Sequence, residues 1–142
     1  MISEKDKKII TCLRKNARQT LASISRQAKI PLSTVYDRIK LNEKGLILKY
    51  TSLVDFSRLG FNLRMQLLAN AKDRTKLIEF INGHGLVNNA FRISGEYEFL
   101  LDCIFPSMKE LTEFTDQIKS HCSGLKVFHV VEELKREAFF NG

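Results

Sequence analysis

The apolar residues of this chain change period near residue 60. Before that point they recur at helical spacing: Ile9, Ile10 and Leu13, then Leu21, Ile24 and Ala28, then Val35 and Ile39. After it, Phe61, Leu63, Met65, Leu67 and Ala69 alternate with Asn62, Arg64, Gln66, Leu68 and Asn70, the period of a strand with one buried face. A chain that switches period in this way divides into two architectures.

The first part reads as three short helices. Ser3 with Asp6 three residues on forms a capping box ahead of the first. Asn16–Thr20 is a polar loop with Thr20 as the next cap, and Lys29-Ile30-Pro31 ends the second helix. The third begins within Pro31–Ser33 and stops before Gly45, a natural residue past a helix end. Leu46–Thr51 is an extended apolar stretch suited to pair as a small wing. Asp55–Gly60 reads as a hinge.

The second part reads as strand–helix–strand–strand–helix–strand. A helix over Asp73–Asn82 turns Leu77, Ile78 and Ile81 inward. Val87, Phe91 and Ile93 share one face of the next strand, and Ser94-Gly95-Glu96 makes a tight turn. Tyr97, Phe99, Leu101, Cys103 and Phe105 alternate along a third strand. Ser107 and Glu110 form a capping box for a helix that Ser123-Gly124 stops, and Lys126–Val131 is the fourth strand. The predicted fold class is α+β, a winged helix-turn-helix (1–54), a hinge (55–60) and a ferredoxin-like βαββαβ domain (61–142). Helices on one side of that sheet leave Leu68, Leu100 and Ile104 on the other, an apolar set that a second copy would cover.

Charge separates the halves as well. Residues 1–60 hold 13 Lys and Arg against 5 Asp and Glu, a balance of +8, whereas residues 61–142 hold 10 against 11, a balance of −1. A basic module joined to a neutral one points to a polyanion partner and a second function. No apolar run approaches the roughly 20 residues of a bilayer span, and the start has no signal-peptide stretch, so a cytoplasmic location and no membrane partner are expected. Three widely spaced cysteines, Cys12, Cys103 and Cys122, make no disulfide framework. His84, His121, Cys122 and His129 lack zinc-ligand spacing, and the motifs of nucleotide and nucleophile enzymes are missing, so no metal, cofactor or catalysis is expected.

The helix pair around Lys29–Leu32 is the strongest signal. In a helix-turn-helix the second helix enters the major groove, so its outward positions are small, polar or basic. Ser33, Thr34, Tyr36, Asp37, Arg38 and Lys40 meet that requirement, while Val35 and Ile39 anchor the helix. Arg38 and Lys40 are expected to contact phosphate or guanine. Ser33, Thr34 and Tyr36 are expected to meet base edges or backbone, and Asp37 to accept from cytosine or orient Arg38. Arg18 and Thr20, at the start of the second helix, are candidates for phosphate. The partner is double-stranded DNA, read by at least a dimer.

Asp6-Lys7-Lys8-Ile9-Ile10, Asn16-Ala17-Arg18, Leu32–Ile39 and Glu43-Lys44-Gly45-Leu46-Ile47, with Gly95-Glu96-Tyr97-Glu98 for a Gly-Asp-Tyr-Asp turn, resemble the Lrp/AsnC transcription regulators in order along the whole chain. The resemblance implies a sequence-specific regulator of transcription, dimers that associate into octamers, and an amino-acid effector. Gly95, Tyr97 and Glu98 are the effector-site candidates it suggests, Glu98 offering a carboxylate to an amino group.

Departures from the family pattern carry expectations of their own. Lys29 and Pro31 replace the usual Gly and Ser. One residue fewer between Arg38 and Gly45 predicts that the third helix ends near Lys40, with Leu41 as an apolar capping contact. Glu96 replaces Asp, and Val127–Val131 lacks the family's threonines. Two other readings are a heterodimer partner that does not bind DNA and an enzyme resembling the siroheme decarboxylases. The second half shows no cluster of histidine and arginine for a tetrapyrrole acid.

Overall fold

The computed structural model describes residues 1–140; Asn141 and Gly142, the end of the segment assigned above to the second domain, lie outside the described residues. The chain forms two compact units, one holding Met1–Leu53 and the described residues from Lys135 on, the other Val54–Leu134. The C-terminal segment thus groups with the first unit rather than the second. Arg14 holds it there, donating from Nε to the Phe139 carbonyl and from Nη2 to that of Glu137, both at 3.0 Å. The hinge stretch contains a 3-10 helix, Phe56–Leu59, begun by Asp55, whose carboxylate accepts from the Ser57 amide at 3.1 Å.

In the first unit, α1 (Glu4–Lys15) starts at the Ser3–Asp6 capping box. α2 (Leu21–Ala28) is capped by Thr20, whose hydroxyl oxygen accepts from the Ser23 amide at 3.0 Å. α3 (Leu32–Asn42) follows a tight turn. Ile9, Ile24 and Val35 are wholly buried between the three, with Cys12, Ala28 and Ile30 around them.

Three expectations need correction here. α3 continues through Asn42 instead of ending near Lys40, and Leu41 is 50% exposed rather than a capping contact. The residue that turns inward is Asn42, because a buried carboxylate described below requires its amide. Gly45 adopts no left-handed conformation, and the residue that follows α3, Glu43, keeps ordinary helical geometry. Finally, the stretch after Gly45 is a single unpaired arm. The amides of Leu46 and Ile47 fold back onto the Asn42 carbonyl at 3.0 and 2.8 Å, and Leu48 stands 90% exposed.

The second unit is a four-stranded sheet in the order β2-β3-β1-β4, every neighbouring pair antiparallel. Its elements run β1 (Leu63–Ala71), α4 (Arg74–Gly83), β2 (Val87–Arg92), β3 (Phe99–Phe105), α5 (Met108–Lys119) and β4 (Cys122–His129), the ferredoxin-like βαββαβ order. Leu67, Leu101, Cys103 and Phe105 meet Leu77 of α4 and Phe114 and Ile118 of α5 in one core. Burial pushes the Cys103 thiol up to about 12. Asp73 caps α4, accepting from the Lys76 amide at 3.3 Å. At α5 the Ser107 hydroxyl donates to the Glu110 carboxylate and caps no amide. Ser123 and Gly124 lie inside β4 instead of stopping α5.

A register shift between Val87 and Asn89 alters which face β2 presents. Val87 pairs with core-side Cys103, whereas Phe91 pairs with Leu100 on the opposite face, so the two do not share a side as expected. That opposite face also carries Phe128, in register with Gln66, and Lys126, in register with Leu68. Phe91 and Phe128 are 55% and 50% exposed. Ile104, expected among the residues that a second copy covers, is already only 6% exposed within this chain and lines a hollow of about 220 Å³ with Phe56, Leu59 and Phe61.

A charged group sits in the middle of this face. Asp102 is 4% exposed and bound by the Nε–Nη2 edge of the Arg64 guanidinium, at 2.9 and 3.0 Å. Gln66 and Asn89 each donate to it at 2.9 Å. Burial alone would raise this carboxyl; the bonds from Arg64 and Asn89 carry it below the ordinary carboxylate range instead.

Candidate nucleic-acid interface and effector turn

The outward face of α3 is a stripe of exposed residues, Ser33, Asp37 and Lys40, with exposed Tyr36 beside it and half-buried Thr34 on its other flank. Lys40 Nζ lies 5.7 Å from the centre of the Tyr36 ring and 3.8 Å from Glu43. Both are weak surface contacts that a phosphate displaces at small cost. Ala17 and Leu21 at the start of α2, Tyr36 and Lys40 on α3, and Tyr50 from the arm surround a hollow of about 340 Å³ along this face.

Arg38 does not belong to that stripe. Its guanidinium faces α1, donating from Nε to Asp6 Oδ1 at 2.7 Å and from Nη2 to Asp6 Oδ2. Asp6 is wholly buried and also accepts from the Ser3 amide and hydroxyl at 2.8 Å each and from Asn42 Nδ2 at 2.9 Å. The Arg38 guanidinium in particular holds the Asp6 carboxyl far below the usual carboxylate range. Two residues one helical turn apart on α3 thus grip one carboxylate on α1, which fixes the rotation of α3 about its own axis. Arg38 acts on the outward stripe by positioning it. It is oriented by Asp6, and Asp37 is left exposed and available to a base.

Arg18 is exposed, and its guanidinium meets no partner among the described residues. Only its amide is engaged, donating to Asn16 Oδ1 at 3.0 Å. The Thr20 oxygen serves as a cap, which leaves the hydroxyl proton for an outside acceptor.

Gly95, Tyr97 and Glu98 do come together, in the turn between β2 and β3. Gly95 has φ of +132°, a conformation that L side chains rarely adopt. The Asn70 side chain ties the turn down, donating to the Glu96 carbonyl at 2.9 Å and accepting from the Glu98 amide at 3.0 Å. The Tyr97 ring lies beside Gly124, with Lys126 Nζ 5.7 Å from its centre. Glu98 is not the free carboxylate expected. It accepts from Arg74 Nη2 at 2.8 Å and from the Ala71 amide at 3.1 Å, and these bonds hold its carboxyl below the ordinary range. It braces the turn to the start of α4.

Asp6 is legible in the sequence as a helix cap, but its pairing with Arg38 and Asn42 is not, nor is the pairing of Asp102 with Arg64. A lone Asp inside the apolar run Phe99–Phe105 was the available signal for one of them, since a charge at a core-strand position demands a partner.

A helix-turn-helix with a polar outward stripe, joined to a separate α+β unit, is the architecture of a two-module DNA-binding regulator. Comparison with known proteins agrees. Residues 2–47 match the winged helix-turn-helix DNA-binding family and residues 64–138 the Lrp/AsnC ligand-binding domain. The chain belongs to the Lrp/AsnC family of transcription regulators. Its relatives include an HTH-type transcriptional regulator of Pyrococcus abyssi, 29% identical over 98% of this chain and 97% of that protein. LrpA of Bacillus subtilis is 28% identical over 87% of this chain and 93% of its own. Among solved structures, a Neisseria meningitidis transcriptional regulator in complex with L-methionine shares the fold with a TM-score of 0.89, covering 96% of this chain and 94% of its own at 22% identity. LrpC of Bacillus subtilis gives 0.88, covering 95% and 98% at 22% identity. No helix among the described residues is long and apolar enough to cross a membrane.

Proposed function

We propose that this regulator reads duplex DNA as a dimer through Ser33, Tyr36, Asp37 and Lys40, with Thr34 at the flank of the stripe and Arg18 and Thr20 on the backbone. The observation that carries the reading is the pinned rotation of α3: the Asp6–Arg38–Asn42 network leaves this stripe as the outward surface of a unit with strong positive charge. One short helix reads few base pairs, so two copies related by a two-fold axis are needed for a specific site. The sheet face with Phe91, Leu100, Leu68 and Phe128 is the surface proposed for pairing; association of dimers into octamers is the further step the family suggests. The turn at Gly95–Glu98 is proposed to meet a small effector such as an amino acid. With Glu98 occupied by Arg74, recognition of an amino group falls to backbone carbonyls of the turn and the Tyr97 hydroxyl. The site of action is the cytoplasm.

Two experiments test this. Lys40→Ala is expected to leave thermal stability unchanged and to lower DNA affinity, with a shallower dependence of log K on log salt by about 0.9 for each protomer's lost phosphate contact. Unchanged affinity removes the α3 stripe from the interface. For pairing, sedimentation of the full chain at micromolar concentration is expected to show a dimer or larger. Phe128→Glu, which places a charge on the proposed surface, is expected to yield monomer; a dimer that persists refutes the surface.

A further inference from the structure

Resting on the DNA-binding reading above, we infer that Lys29, in the turn ahead of α3, is a phosphate-contact residue held in place by a strained but rigid turn. Lys29 has φ 56° and ψ 49°, the left-handed region that disfavours L side chains and that glycine adopts freely. Such strain persists only where the surroundings over-determine it. Here they do. The Ser25 carbonyl accepts from the Lys29 amide and, at 3.2 Å, from the Ile30 amide, while the Ser25 hydroxyl donates to the Ile30 carbonyl at 2.5 Å. Ile30, 5% exposed, anchors the turn in the core of the first unit. The direction of the Lys29 side chain from its Cα is therefore set by the fold.

That side chain is exposed and has no ion pair or hydrogen bond among the described residues. No contact within the unit accounts for a lysine where glycine would be more stable. Its position does. The N-terminal residues of a recognition helix approach the base edges, so the turn immediately before them borders the groove and faces the sugar-phosphate strand. Ser33, on the outward stripe, is four residues beyond Lys29. An ammonium on a fixed stem at the groove edge sets the register of α3 along the duplex, which is what backbone contacts do in such complexes.

The inference yields two effects of opposite sign from one substitution. Lys29→Gly in the full chain is expected to raise the melting temperature by about 2–4 °C through relief of the left-handed strain. It is also expected to weaken binding to a mixed-sequence DNA duplex and to make the slope of log K against log salt shallower by about 0.9 for each protomer. Lys29→Arg should keep the slope, and Lys109→Ala, which removes one positive charge from the other unit, should leave it unaltered. A Lys29→Gly protein that binds with wild-type slope overturns the inference, and so does an equal change in the Lys109→Ala protein. If Lys40→Ala weakens binding while Lys29→Gly does not, the inference falls and the DNA reading stands. If the wild type binds the duplex with no salt dependence, both fall.

Discussion

Arg38→Ala is expected to cost the first unit most of its stability. The substitution leaves the wholly buried Asp6 carboxylate without its cation, a class of change that destabilises by about 3–5 kcal/mol. The bonds that remain from Ser3 and Asn42 place the loss toward the lower end. Urea unfolding followed by circular dichroism measures it. The pH dependence supplies a second signature. The folded-state Asp6 carboxyl lies below its unfolded value of about 3.9, so its contribution is complete above that value and is lost as pH falls. In the wild type, stability should decline as pH drops below about 5; in Arg38→Ala the decline should be less steep. DNA affinity should fall as well, through a stripe no longer held in register. If stability is unchanged and only affinity falls, Arg38 contacts DNA itself and the positioning role is wrong.

Phe114→Ala should produce a loss of similar size in the second unit. Phe114 is 1% exposed, with the His84 ring at 4.8 Å, Phe105 at 5.3 Å and Phe80 at 5.5 Å. Removing a buried aromatic ring from such a cluster costs about 3–5 kcal/mol, part of it for the cavity left behind. Calorimetry of the full chain should show the loss, and sedimentation should show weakened pairing. Wild-type stability would mean that α5 does not hold the sheet.

The two helices and four strands of the second unit follow from apolar spacing alone, because each buries one face and period reports that face. Pairings across long stretches of chain do not follow. Arg38 looks outward by composition, and it turns inward because Asp6, 32 residues earlier, supplies a buried carboxylate. Glu98 looks free, and Arg74, 24 residues earlier, occupies it. The phase change in β2 comes from a bulge that no residue type marks, so apolar spacing alone puts Phe91 on the same face as Val87. At Lys29 the break in the helix was legible, and the left-handed conformation had one signal, the glycine that the family usually carries there. That Ser33, Tyr36, Asp37 and Lys40 face outward was legible, because inward Val35 and Ile39 fix the phase of the helix.

The central claim is that the outward face of α3 reads bases. Selection of bound fragments from the genome of the encoding organism, followed by footprinting with the wild type and with Asp37→Ala, tests it most directly. The wild type should enrich an inverted repeat whose half-sites are centred about 10–10.5 base pairs, or a multiple of that, apart. Asp37→Ala should protect the same region but tolerate other bases at one position in each half-site, a loss of about 1–3 kcal/mol of discrimination there. Identical base preferences for the two proteins, or no enriched sequence for the wild type, would contradict it.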